Sequence, residues 1–399
     1  MTWVPKRLDE LGSVSRGRSR HRPRDAAHLY GGPHPFIQTG DVKHAGLYIT
    51  GFTQTYTEAG LQQSKLWPAG TLCITIAANI ADTAILAIDA CFPDSVIGFN
   101  ADPQQSDARF VKYLFDATIK VRAQQFSQGA TQDNLSQEKL LSLDFAVPAV
   151  GEQTRIADIL STYDDLIDNN RRRMALLEES ARLLYREWFV RLRFPGYEHT
   201  PIVDGVPQGW ERKTLAQLTS FLKRGITPSY DDDAEGLVIN QKCIRDGRVN
   251  LELARNQSKE VKPERVLQYG DVLVNSTGEG TLGRVAQVKV ALNSCTVDTH
   301  VTIVRPLESI GRHYFGQAVM DWEPRFSTMG KGATNQTELS PAAIGETSIL
   351  MPSHTLIEQF ESFAEPLYEQ VSNLIAQNQK LRAARDLLLP RLMSGELPV

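Results

Sequence analysis

The chain has 399 residues, a formal net charge of −4, 41% hydrophobic and 23% charged residues. These are the proportions of soluble, well-cored domains, and the length allows two or three of them. No stretch approaches 18 uninterrupted apolar residues, and no apolar run follows the Arg-rich N-terminus, which argues against a membrane span or secretory signal and for a cytoplasmic location.

In chain order, Trp3, Leu8 and Leu11 open a unit of roughly 200 residues. Residues 1–25 then carry seven Arg/Lys against three acids, a local excess able to neutralise phosphates or simply to form a solvated loop. Short β-like runs (Leu72–Ile76, Ala84–Ile88) and a helical piece (Ala108–Phe115) follow, then Gly129-Ala130-Thr131-Gln132, Leu135-Ser136 and a strand-like run to Pro148. Beyond Pro148 the spacing turns helical. After a loop around Phe194-Pro195-Gly196 and Pro207-Gln208-Gly209, the same order returns. It runs through Trp210, Leu215 and Leu218, strands Asp271–Asn275, Arg284–Val290 and His300–Val304, and a helix over Gly311–Asp321. Gly332-Ala333-Thr334-Asn335, Leu339-Ser340, Pro352 and a second long helix close the copy. Matched positions are offset by 200 to 207, so the repeat is a whole domain plus a helix, beyond the size of solenoid units.

The two helices carry the strongest periodicity. Alternating steps of 4 and 3 give Ile156, Leu160, Tyr163, Ile167, Asn170, Met174, Leu177, Ala181, Leu184 and Trp188. The second seam reads Phe360, Ala364, Leu367, Val371, Leu374, Asn378, Leu381, Arg385, Leu388 and Leu392, each at an offset of 204. A sustained 3.5-residue spacing defines a coiled-coil seam. Each seam spans 33 residues, roughly 50 Å at 1.5 Å per residue. Antiparallel pairing sets Ile156 against Leu392, Trp188 against Phe360, and Asn170 against Asn378. A parallel pairing would leave each Asn facing an apolar side chain, so the antiparallel arrangement is expected, with an approximate two-fold axis. Pro366 and Pro390 predict a kink near the start of the second helix and an early end. The fold class is therefore α+β, with two globular regions and two paired long helices.

Chemistry-bearing motifs are few. Gly278-Glu279-Gly280-Thr281-Leu282-Gly283 has the spacing of a dinucleotide loop, but a β-branched, alternating segment follows it where a helix is required. It reads as a tight turn between strands. There is no phosphate loop, His-Glu-x-x-His, Gly-x-Ser-x-Gly or Asn-Pro-Pro-aromatic motif. Cys73, Cys91, Cys243 and Cys295 lack Cys-x-x-Cys spacing and read as buried thiols. No catalytic, cofactor or metal residue is expected, and the pattern points to binding.

The Gly-Ala-Thr-Gln/Asn and Leu-Ser pairs, the strands ending at Pro148 and Pro352, and Glu152-Gln153 and Glu358-Gln359 opening long helices resemble the specificity subunits of type I restriction-modification systems. The second half also resembles that family in Gly270-Asp271-Val272-Leu273, Gly280-Thr281-Leu282-Gly283 and the close Leu388–Leu397. The first half departs from it, with Ala77-Ala78-Asn79-Ile80-Ala81-Asp82 in place of the glycine turn. The resemblance implies a first target-recognition domain over 1–150, a spacer helix over 151–193, a linker and second target-recognition domain over 194–355, a second spacer helix over 356–393 and a tail over 394–399. It further implies double-stranded DNA read as two half-sites, two methyltransferase subunits on the helices and restriction motor-nuclease subunits in the full complex. S-adenosylmethionine would be bound in the methyltransferase partner. The two copies differ in sequence, so a non-palindromic target is expected. Alternative readings are a methyltransferase or nuclease with unrecognised motifs, and a coiled-coil adaptor without a DNA role.

Candidate DNA contacts are Arg16, Arg18, Arg20, Arg22, Lys120, Arg122, Gln124, Gln125 and Gln128 in the first half, and Arg224, Tyr230, Lys242, Arg245, Lys331, Asn335 and Gln336 in the second. Arg171-Arg172-Arg173 is either a solvated helix face or a DNA-facing patch. Candidate helix-pairing residues are Ile156, Leu160, Ile167, Asn170, Leu177, Leu184, Leu367, Val371, Leu374, Asn378, Leu381 and Leu388.

Overall fold

A computed structural model describes residues 3–77, 80–120, 136–330 and 337–399. Its contacts group into two compact units, Met1–Arg171 with Gln377–Val399, and Arg172–Ala376. Among the described residues no helix is long and apolar enough to cross a membrane.

In the first unit a five-stranded sheet runs in the order Gly12–Arg16, Val96–Ala101, Leu72–Thr75, Thr83–Leu86 and Tyr48–Ile49, antiparallel except for the last pair. The central strand is buried throughout because both of its faces are covered. Leu72 and Ile74 pack with Phe110, Val111 and Phe115 beneath helix Ala108–Phe115, whereas Cys73 points the other way, to Trp67 and Phe92. A second, four-stranded sheet joins Gln54–Tyr56, Tyr30–Phe36, Ala90–Cys91 and Leu66–Trp67. Strand Val4–Arg7 pairs antiparallel with Asp144–Val147.

The second unit repeats the plan. Thr219–Arg224, Val301–Pro306, Val272–Asn275 and Val285–Gln287 form an antiparallel sheet. Val272 and Val274 pack with Tyr314 and Phe315 under helix Arg312–Met320, and Leu273 faces Cys243 and Cys295. A three-stranded sheet follows the order Arg255–Gln257, Gly236–Ile239, Cys295–Val297. Glu211–Thr214 pairs with Ser348–Met351 as the first unit's opening strand pairs with its closing one. Gly70 and Gly270 enter the two central strands at φ of 88° and 93°, a backbone conformation that disfavours any side chain. All four cysteines are buried and free.

The first long helix is Val150–Tyr185, continued by a π-helical turn over Arg186–Val190, and the second is His354–Met393. Within the first unit, Ile156 and Leu160 share a buried cluster with Leu392, and the Asn170 amide donates to the Asn378 side-chain oxygen at 2.9 Å. Within the second unit, Met174, Val371 and Leu374 cluster with Leu177, and the Trp188 and Phe360 rings lie 6.4 Å apart. The helices therefore run antiparallel in each unit. Of the other pairing candidates, Ile167 is buried, and Leu184, Leu367, Leu381 and Leu388 are half-buried.

Two expectations need correction. The second helix does not end early, because it passes through Pro366 and Pro390 to Met393. A proline inside a helix costs about 3 kcal/mol. Ala364 and Tyr368 beside the first, and Leu392 and Met393 beyond the second, are all buried and hold the chain helical. The helix stops where Gly395 turns left-handed at φ 75°. The seam also drifts near its ends. Asp164, Tyr185 and Phe189 are buried where Tyr163, Leu184 and Trp188 are only half-buried, since there the helix packs on a globular core as well as on its partner helix.

Replacing Asn378 with Leu alone should strand the buried Asn170 amide and destabilise the chain by about 1–3 kcal/mol. Thermal denaturation of N378L should show the loss, and the double substitution N170L/N378L should recover most of it.

Candidate nucleic-acid interface

The basic segment of the first unit is held by oxygens of its own domain. The Arg16 Nε donates to the Asp94 carbonyl at 3.0 Å and the Arg18 Nε to the Ser64 carbonyl at 2.7 Å. The Arg20 backbone N–H donates to Gln63 at 2.6 Å, and Arg22 donates to the Ser19 carbonyl at 2.8 Å. Arg24 makes an ion pair with Asp94 at 2.8 Å. A guanidinium carries five donors, so one or two internal bonds fix its position and leave the remainder for an external acceptor. Arg16, Arg20 and Arg22 are exposed. These four candidates thus lie together on one shaped segment that reaches from strand Gly12–Arg16 past Ser64 and Asp94.

Other candidates are already engaged. Lys120 pairs with Asp82 at 2.9 Å. Burial opposes its charge, but Asp82 and Asp116 outweigh that and hold its pKa above the ordinary lysine value. Arg224 pairs with Glu338 at 2.6 Å. Arg245 is exposed and loosely paired with Asp246 at 3.8 Å, and Lys242 is exposed. Tyr230 is exposed with the Arg255 guanidinium 3.6 Å above its ring, a stacked pair that sequence spacing did not suggest because 25 residues separate its members. Arg122, Gln124, Gln125, Gln128, Lys331, Asn335 and Gln336 lie outside the described residues, as do Gly129-Ala130-Thr131 and Gly332-Ala333-Thr334.

The described part of that repeated motif is structural. Ser136 and Ser340 cap short helices, accepting from the Lys139 and Ala343 amides at 3.1 Å each. Leu339 is fully buried. Gln153 is also buried, donating to the Pro148 and Gln105 carbonyls at 2.9 and 3.1 Å. Gln359 is exposed, and the register-equivalent position in the second helix holds the buried Ile357. The glycine motif is a turn between the antiparallel strands Val272–Asn275 and Val285–Gln287, with Gly278, Gly280 and Gly283 all at positive φ. A Cβ on Gly283 would lie 2.3 Å from the Ser327 amide nitrogen, so packing accounts for that glycine.

Polar contacts missed by sequence reasoning anchor each globular region to its helices. In the first unit the Tyr113 hydroxyl donates to Asp164 at 2.6 Å, and Arg385 bonds the other oxygen of the same carboxylate. Burial and the neighbouring Asp164 charge push the Tyr113 phenol far above its ordinary pKa, so it stays a donor. In the second unit Gln317 donates to the Tyr368 hydroxyl at 2.6 Å. These two pairs occupy the same positions of the repeat, offset by 204. Glu178 accepts from Lys289 at 2.7 Å and from the Arg248 Nε at 2.9 Å. Burial favours the neutral form of Glu178, but the two cations outweigh it and hold the carboxyl below the usual range. No regular spacing announces such contacts, because each joins elements about 50 or more residues apart.

The chain thus carries a duplicated α+β plan with two long helices that run antiparallel within each unit, and comparisons with known proteins show what it is similar to. Residues 1–179 match the family model described as type I restriction modification DNA specificity domain. The type I restriction enzyme MjaIX specificity subunit of Methanocaldococcus jannaschii is 25% identical, over 100% of this chain and 94% of its own length. The HindI specificity subunit of Haemophilus influenzae is 23% identical over 68% of this chain and 72% of its own. The crystal structure of a type I restriction-modification S subunit from M. genitalium shares the fold, with a TM-score of 0.56 at 16% identity, covering 98% of this chain and 96% of that one. The chain is thus similar along its whole length to a type I restriction enzyme specificity subunit, and its residues 1–179 match the specificity-domain model.

Asp164→Ala should leave Arg385 and the Tyr113 hydroxyl without their buried acceptor and cost about 3–5 kcal/mol. Denaturant unfolding measures this. Tyr113→Phe, which removes one bond and keeps the ring, should cost about 1 kcal/mol.

Proposed function

We propose that each copy of the repeat reads one half of a bipartite, asymmetric DNA target, while the paired helices set the gap between the half-sites and dock two copies of a methyltransferase subunit. Restriction motor-nuclease subunits join in the full complex. The adenine-modifying chemistry and S-adenosylmethionine belong to the methyltransferase partner. In this reading the chain itself carries out no catalysis.

The observation that carries this reading is a second, outward repeat on the helices. Ile159 and Phe363 are 37% and 59% exposed, Leu183 and Leu387 51% and 66%, and each pair is related by the offset of 204. The first unit therefore displays Ile159 with Leu387, and the second displays Phe363 with Leu183. Isolated exposed apolar side chains need no explanation. Four at repeat-equivalent positions, two in each unit and one from each helix, supply the same anchor twice, as two identical partners require. The basic segment around Arg16–Arg22 supports DNA contact through phosphates, which position a protein without specifying sequence.

Substituting Ile159 and Leu387 together by Asp should reduce the assembly from two methyltransferase subunits to one, read by native mass spectrometry. The matching Leu183/Phe363 variant should do the same, and both pairs together should abolish assembly. Mapping methylated adenines in cells expressing the chain with its partners should give a two-part site. Removing seven residues from each long helix should shorten the gap and leave both half-sites unchanged. Tight binding of S-adenosylmethionine to the isolated chain in titration calorimetry would instead favour an enzyme.

A further inference from the structure

The second unit carries a set of side chains that neither DNA reading nor helix pairing uses. His313, near the start of helix Arg312–Met320, meets Glu361 and Glu365, one turn apart on the second long helix. One donor atom from each lies within 4.8 Å of the others. From this geometry we infer that His313, Glu361 and Glu365 form a site for a divalent transition-metal ion. The inference stands apart from the DNA-recognition reading.

Each donor is held by a partner that leaves ligating capacity free. One oxygen of Glu361 accepts the His313 and Tyr314 backbone amides at 3.0 and 2.8 Å, so its second oxygen is positioned without being used by them. The His313 ring stacks on Tyr368 at 4.3 Å with an interplanar angle of 5°, and Gln317 fixes the Tyr368 hydroxyl. The ring Nε2 lies 2.9 Å from Glu365. The amide bonds to Glu361 and the Tyr368 stack are outer contacts that orient ligands, whereas a bound ion would take the place of the proton between Nε2 and Glu365.

A separate observation points the same way. The His313 side chain is 2% exposed, and its Nδ1 has no hydrogen-bond partner among the described residues. Buried polar atoms are nearly always satisfied. One nitrogen and two carboxylates are a donor set for Zn2+, Mn2+ and similar ions, with positions left open for water.

The first copy of the repeat sharpens the case. At the equivalent positions, offset by 204, it holds Arg109, Ala157 and Ser161. Arg109 there makes ion pairs with Asp107 and Asp158 at 2.7 and 2.8 Å. All three ligand types thus occur together in one copy and are absent together from the other. A metal ion at this place would clip helix Arg312–Met320 to the second long helix.

Zn2+ is the probe. The full chain is equilibrated with Zn2+, dialysed against metal-free buffer and assayed for retained metal by mass spectrometry, alongside thermal denaturation. One Zn2+ should remain per chain and raise the melting temperature. E361Q/E365Q, whose amide oxygens still accept the backbone donors and whose other histidines are untouched, should lose both effects. E365Q alone leaves the cap on helix Arg312–Met320 intact, and it should also fail to retain the ion, which covers any folding defect of the double variant. Failure of the parent chain to retain Zn2+, or equal retention by folded E365Q, overturns the proposal.

Discussion

The antiparallel contact between the two long helices is the constraint on which the other features depend. Burying an apolar seam gives most of the stabilisation, at about 1.5–3 kcal/mol for each large side chain fully removed from water. It does not select one alignment, because a slide by a heptad would bury much the same area. The Asn170–Asn378 bond supplies that selection. Any other alignment leaves two buried amides unsatisfied, and this penalty falls on wrong registers alone.

Once the register is set, the polar anchors acquire fixed positions. Asp164 can accept from Tyr113 and Arg385 only when both helices present the right turn to helix Ala108–Phe115. Glu178 likewise requires Lys289 and Arg248 at one level of the first long helix. These contacts make each globular region a rigid attachment to its helices rather than a tethered domain. Under the proposed DNA-reading role, each reading surface is thereby held on the helix segments of its own unit.

Much of this was legible in the sequence because it rests on periodicity. The heptads and the matched strands follow from local rules, and helix Ala108–Phe115 appeared with its observed bounds. The seam's drift toward Asp164, Tyr185 and Phe189 was not legible, since it reflects a third surface that no single helix encodes. Nor was the state of the basic residues. The sequence offers Arg224 and Lys120 as candidate DNA contacts, yet each is ion-paired, with Glu338 and Asp82, across long stretches of chain. Proline misled for a related reason, in that tertiary packing outweighed a local helix-breaking preference at Pro366 and Pro390.

The offsets within the repeat differ by region, from 200 to 207 through the globular parts but a constant 204 along both helices. Physics explains the contrast. An extra residue in a surface loop alters closure entropy by only a small fraction of a kcal/mol. One extra residue inside a helix of 3.6 residues per turn rotates everything beyond it by about 100° and swings the buried stripe out to solvent. Insertions and deletions in the globular loops are therefore cheap, while the paired helices tolerate a change of length only in whole heptads. Under the proposed function, new target sequences would become accessible through loop length, and the spacing between half-sites would advance in discrete steps.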